Sequence, residues 1–208
     1  MIAALFVQAG GCYAGVPGVD AWPIERDARL CRGPWPGVAH PDCRRWGRYA
    51  SNHPITGKIA HVGDDGGCFA HSLWYVRTFG GVIEHPAYSK AWRWFGLAEP
   101  DRRGGWMRAD DFGGFTCYVE QGHYGHFSRK PSYLYAAGVD LPDLIWGPAE
   151  HRLPAYAVER YGYEKARRIG VMAAVGGKNK TLIREATPPG FRDCLLNIAK
   201  SALAKEAA

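Results

Sequence analysis

The sequence predicts an α/β protein built on a doubly wound, Rossmann-like sheet, and three observations carry that expectation. Short apolar runs alternate with a helical pattern, and each run ends in glycines or a polar cluster. The first run, Ile2–Val7, is apolar without interruption, as a strand covered on both faces must be. The length of 208 residues suits one compact domain, or one domain with a small appendage. An apolar fraction of 47% supplies a core and excludes disorder as the main state.

The elements follow in order. Ile2–Val7 closes on Gly10 and Gly11, and a loop rich in glycine and proline runs through Gly15, Pro17 and Gly18. Gly37–Ala39 reads as a short strand halted by Pro41, with polar groups at its carboxyl end. From Asp64 to Gly80 the pattern is helical. Asp64 or Asp65 caps the start, Phe69, Leu73 and Val76 recur at helical spacing, and Gly80-Gly81 supplies the stop. Gly81-Val82-Ile83 begins another strand, ended by Glu84, His85 and Pro86, and Phe115–Glu120 and Ser132–Ala137 are two more. Phe191, Leu195, Ile198 and Ala202 form one face of a last helix, with Asp193 near its start and Lys200 and Lys205 near its end to complement the dipole. In open sheets of this kind ligands lie beyond the carboxyl ends of the strands, where Gly10-Gly11, Cys43 and Glu84 gather.

Lysine and arginine number 26 against 20 acidic residues, a formal charge of +6 that favours a polyanionic partner. The most basic stretch holds His151, Arg152, Arg160, Lys165, Arg167, Arg168, Lys178, Lys180 and Arg184 around Gly176-Gly177, and reads as a mobile arm or as a solvated surface segment. No run approaches the length of a membrane-spanning helix, and Met1–Val7 lacks the basic flank of a secretion signal. The six cysteines contain no Cys-x-x-Cys pair, which points to free thiols in a reducing cytosol. Nothing marks an obligate protein partner.

Cys43 lies in His40-Pro41-Asp42-Cys43-Arg44-Arg45. Two arginines beside it favour the thiolate, the form a covalent nucleophile needs, whereas Asp42 opposes it; the alternative is an inert buried cysteine. Glu84 ends an apolar strand, so its carboxyl is poorly solvated and is expected to stay partly protonated. Gln121–Lys130 interleaves cations with aromatic rings, a combination suited to a planar anionic partner such as a nucleotide strand. His40 with Cys43, and His123 with His126, also have a spacing from which two loops could assemble a zinc site.

In this order the pieces resemble the DNA (cytosine-5)-methyltransferases, in a shortened form such as phages and prophages carry. Leu5-Phe6-Val7-Gln8-Ala9-Gly10-Gly11 looks like the family's first motif, and Glu25 is similar to its ribose-gripping acid. The resemblance therefore implies that Phe6, Gly10, Gly11 and Glu25 bind S-adenosylmethionine. His40-Pro41-Asp42-Cys43 stands where the family has Pro-Pro-Cys, and Ile83-Glu84-His85-Pro86 where it has Glu-Asn-Val. Cys43 is then the nucleophile and Glu84 the base-gripping carboxyl. Tyr124-Gly125 with Ser128-Arg129-Lys130 looks like the eighth motif, which gives Arg129 and Lys130 the base carbonyl or a flanking phosphate.

The resemblance implies a methyltransferase-like catalytic domain over 1–149 and 187–208, with the basic segment 150–186 in place of a target-recognition domain. The early strands are trimmed, since the gap from Gly11 to Cys43 is short. The implied reaction swings a cytosine out of DNA, adds the Cys43 thiolate to C6 and methylates C5 in the host cytoplasm. Two further readings stay open: transfer of another group to a pyrimidine, and a DNA-binding protein that has lost catalysis.

Overall fold

The structure, a computed structural model, describes residues 1–47, 50, 61–150, 153, 155–169 and 185–206. Its strands are β1 (Ile2–Val7), β2 (Val19–Pro23), β3 (Gly37–Ala39), β4 (Gly81–Pro86), β5 (Met107–Arg108), β6 (Phe115–Glu120) and β7 (Pro131–Ala137). They form one mixed sheet in the order β2-β1-β3-β4-β7-β6-β5. The pairs from β2 to β4 are parallel, and those from β4 through β7 and β6 to β5 are antiparallel. Helices α1 (Cys68–Phe79) and α5 (Pro189–Glu206) cover opposite faces, and α2 (Lys90–Trp94), α3 (Ala155–Tyr161) and α4 (Tyr163–Ile169) are short. The molecule is an α/β protein, compatible with a Rossmann-like fold.

Side-chain alternation builds both cores from the same strands. Ala3, Leu5, Ala39, Ile83, Tyr133 and Tyr135 face α1, while Ile2, Ala4, Val38, Val82, Leu134 and Ala136 face α5. A strand sandwiched in this way has no solvent face, which is why β1, β3 and β4 read as unbroken apolar runs. Gly37 and Gly81 open β3 and β4 as a register pair. A Cβ on Gly81 would overlap the Gly37 backbone, so the close start of these two strands depends on glycine.

Two departures from the expected winding bear on the site. β2 lies within the stretch expected to be loop; it is an edge strand whose residues are all half-buried, so it shows no apolar run. The chain from β1 to β2 and from β2 to β3 contains turns and short 3-10 segments, where parallel strands are usually joined by a crossover α-helix. The face such a helix would cover is occupied by α5, whose Phe191, Leu195 and Ile198 pack among Ile2, Ala4 and Tyr13. No described helix is long and apolar enough to cross a membrane.

The predicted helix from Asp64 begins later, at Cys68, but Asp65 does cap it. Its Oδ1 accepts from Gly67 N at 2.9 Å, and its Oδ2 accepts from Phe69 N and the Trp46 indole, both at 2.8 Å. Trp46 is three residues past Cys43, so this one buried carboxylate ties the cysteine loop to the start of α1. Asp65→Ala removes the cap and orphans a buried indole N–H. It is expected to cost about 2–4 kcal/mol of stability, read from urea unfolding.

In the basic appendage, α3 and α4 pair around Gly162 and bury Ala157 and Ala166. Arg160, Lys165 and Arg167 belong to these helices; His151, Arg152, Lys178, Lys180 and Arg184 lie outside the described residues.

Candidate active site

The chain leaves β1 toward β2 on one side and returns to β3 on the other, so the topological switch point lies between β1 and β3. Ligands of open α/β sheets bind at the carboxyl end of that crevice. The loop after β1 there carries Cys12 and Tyr13, and the loop after β3 carries His40 to Cys43.

The parallel register pairs Ala39 with Ile83 and so brings the next residues, His40 and Glu84, side by side. His40 Nδ1 lies 3.0 Å from Glu84 Oε2, and its Nε2 lies 2.8 Å from the Tyr13 hydroxyl. Burial, with Cys12 and Glu84 nearby, pushes the Tyr13 phenol well up, so it stays protonated, and the His40 ring bridges it to the carboxylate. The other carboxylate oxygen, Oε1, accepts from Ser132 Oγ at 2.5 Å and from Gln121 Nε2 at 3.0 Å. Ser132 in turn accepts from Gln121 Nε2 at 2.8 Å.

These partners reverse the expected state of Glu84. Burial alone raises its pKa, but the His40 hydrogen bond and charge, the Lys130 charge and the Ser132 hydrogen bond outweigh it and hold the carboxyl at about 2. Glu84 is ionised at neutral pH, not partly protonated.

Cys43 is corrected in the same way. Arg44 turns from the sulfur and clasps Asp42, with Nη2 to Oδ2 at 2.6 Å and Nε to Oδ2 at 2.9 Å, its side chain 78% exposed. Burial first, then the negative charges of Glu84, Asp42 and Glu185, push the Cys43 thiol up to about 11. The free protein holds a thiol, not the thiolate the two arginines suggested. The loop that carries Cys43 follows β3, directly beside the parallel strand β4 that carries Glu84.

Lys130 joins them and Arg129 does not. Lys130 sits at φ +39, and its Nζ donates to the carbonyls of Glu185 and Ala186 at 3.0 and 2.7 Å. Burial lowers its pKa, while the charges of Glu84, Cys43, Glu185 and Cys12 act the other way. Arg129 faces Glu120 instead, at 3.8 Å.

The candidate ligand-binding residues lie on the neighbouring tips. Phe6 adopts φ +56 where the β1–β2 register slips, which turns its ring onto the α1 face, edge-on to His71 at 6.1 Å. Gly11 N donates to Gln8 O at 2.9 Å, closing a tight turn in which Gly10 has φ +66 and open space where a Cβ would stand. Val7 pairs with Pro23, so the turn bearing Glu25 lies beside it. The Glu25 carboxylate is exposed and has no hydrogen bond or ion pair among the described residues. A bare glycine backbone beside a free carboxylate fits a ligand that carries both hydroxyls and a positive charge.

The histidines considered for zinc point elsewhere. His40 serves Tyr13 and Glu84, His123 Nε2 contacts the Gly147 carbonyl at 3.1 Å, and His126 Nδ1 engages Ser128. Among the described residues no group of three or more His, Cys, Asp or Glu is arranged to hold a metal. Sequence reasoning missed His40, Gln121 and Ser132 as the holders of Glu84, and Tyr13 as the partner of His40. Only for His40 was there a usable signal, its place just after β3 as Glu84 is just after Ile83.

The site thus combines a thiol, a carboxylate with fixed orientation and a half-buried cation near the switch point of an α/β sheet. No family model, curated protein or solved structure matches this chain.

Proposed function

We propose that the protein is an S-adenosylmethionine-dependent methyltransferase acting on C5 of cytosine in DNA through a covalent Cys43–C6 bond. The observation that supports this most is the placement of Cys43, in the loop after β3, beside the strand β4 that carries Glu84, with Glu84 held by donors from three residues. The reversed β7 beside β4, and α5 packed back against β1, β3 and β4, agree with a methyltransferase type of sheet.

The residues then have distinct tasks. Glu84, anchored by His40, Ser132 and Gln121, uses its one remaining acceptor site, on Oε2, to orient the N3 and amine edge of the target base. As the Cys43 sulfur bonds to C6, its S–H bond breaks and the proton passes by way of Glu84 to N3, while the C5–C6 π pair moves onto C5. Lys130 offers its ammonium to the charge that develops on the ring carbonyl. When bound against Phe6, Gly10, Gly11 and Glu25, S-adenosylmethionine supplies an electrophilic methyl carbon. The C5 proton then passes to water, the C5–C6 double bond re-forms as the Cys43 sulfur leaves, and the N3 proton returns by way of Glu84 to that sulfur, which restores the aromatic ring. Arg129 has no part beside the base and is available to a flanking phosphate.

A DNA-binding protein without catalysis is the second reading, favoured by the protonated state of the Cys43 thiol. Incubation with DNA and S-adenosylmethionine labelled in its methyl group separates the two. The proposal expects label on cytosine and calorimetric binding of the cofactor; bound DNA with neither would favour the silent protein.

A further inference from the structure

The site described above leaves unused a cleft on the α1 side of the sheet. Its volume is about 580 Å3, and its walls include Tyr88, Lys90, Arg93, Trp94 and Glu99. Both walls are fixed to the catalytic loops. Tyr88 is four residues past Glu84, a reach of no more than about 14 Å for an extended chain. On the other side, the Trp46 carbonyl accepts from Lys90 N at 2.8 Å, and the Trp46 ring meets Trp94 edge-on at 5.8 Å.

The surface of this cleft pairs aromatic faces with cations. Trp94 is 64% exposed and Tyr88 38% exposed, and Tyr88 is held at φ +64, a conformation costly for a residue with a side chain. The Arg102 guanidinium lies 5.8 Å over the Tyr88 ring. Arg93 is almost fully exposed and meets Glu99 only at 3.4 Å. With Lys90 and Arg103, the cations of this region outnumber Glu99 and Asp101. Exposed rings flanked by guanidinium groups match an unpaired base and its phosphate, because every base has a π-face and duplex bases are already stacked on each other.

We propose that this cleft holds the unpaired nucleotide next to the target cytosine, its base stacked on Tyr88 or Trp94 and its phosphate paired with Arg93 and Arg102, so that the substrate is single-stranded DNA. This rests on the reading of the protein as a nucleic-acid-modifying enzyme and names the form of its substrate.

The test is fluorescence anisotropy of a labelled single-stranded oligonucleotide with one cytosine among thymines, measured on the full chain without a methyl donor. Tyr88→Ala and Trp94→Ala are each expected to weaken binding by about 5- to 150-fold, with Trp94→Phe close to wild type. An abasic site beside the cytosine is expected to mimic the loss and to make Tyr88→Ala and Trp94→Ala less damaging. Arg93→Gln and Arg102→Gln should each flatten the dependence of log Kd on log salt by about 0.7. The same sequence as a duplex should bind at least tenfold more weakly. Wild-type affinity in both alanine variants, preference for the duplex, or no single-strand binding by wild type would overturn the proposal. This binding pattern without label transfer to cytosine would uphold the cleft and overturn the methyltransferase reading, so the two fail separately.

Discussion

Cys43→Ser is expected to abolish covalent capture of DNA containing 5-fluorocytosine and to lower methyl transfer at least about 1,000-fold, with folding and DNA binding intact. The sulfur is half-buried and forms no side-chain hydrogen bond to the described residues, so the substitution leaves no structural gap. With the thiol near 11, about one molecule in 10,000 carries the thiolate at pH 7 before substrate binds. Alkylation of Cys43 by iodoacetamide in the free protein should therefore rise about tenfold per pH unit from pH 7 to 10, followed by mass spectrometry of its peptide. A pH-independent rate in that range would contradict the thiol state described here.

Glu84→Gln is the second large effect, and it separates two roles of one carboxylate. Removing the charge lowers the Cys43 pKa, so alkylation at a fixed pH should become faster. Methyl transfer should nevertheless fall by about 100- to 1,000-fold, because the group that holds the base and passes the proton is gone. If Glu84 acted on the thiol alone, transfer would rise with alkylation. Stability changes too. A carboxyl held at about 2 against an ordinary 4.5 contributes on the order of 3 kcal/mol, present in full above pH 4.5 and lost as the pH falls through 2. The urea midpoints of wild type and Glu84→Gln should therefore differ at pH 7 and converge between pH 4.5 and pH 2.

Those two residues also show how far the sequence could be read. Strands with both faces covered announce themselves as apolar runs, so β1, β3, β4, β6 and β7 were legible, as was the amphipathic α5. β2 was not, because an edge strand of half-buried residues with Asp20 and Pro23 has no such signature. The helix-free connection after β1 was legible as a loop rich in glycine and proline, but the packing of α5, nearly two hundred residues from β1, against that part of the sheet was not. The pattern placed Cys43 past β3 and Glu84 on β4, but β4 runs on to Pro86 instead of ending at Glu84, and neither protonation state followed from the sequence. Neighbours in sequence suggested that Arg44 would serve the sulfur, yet an aspartate two residues before the arginine captured it in a local turn. Glu84 took its donors from β3, β7 and the turn after β6, which only the register and sheet order bring together.

Arg129 and Lys130 are adjacent in sequence but have separate destinations, Glu120 for one and the neighbourhood of Glu84 for the other. A basic pair read as a unit is divided here by the left-handed backbone at Lys130.

The most direct measurement is to digest the complex that wild-type protein forms with a 5-fluorocytosine oligonucleotide and S-adenosylmethionine, and to sequence the peptide that carries the nucleotide. The account predicts a single linkage, at Cys43, lost in Cys43→Ser and greatly slowed in Glu84→Gln. Linkage through Cys12, the other half-buried thiol beside Lys130, or methylated cytosine formed by Cys43→Ser at the wild-type rate, would contradict it.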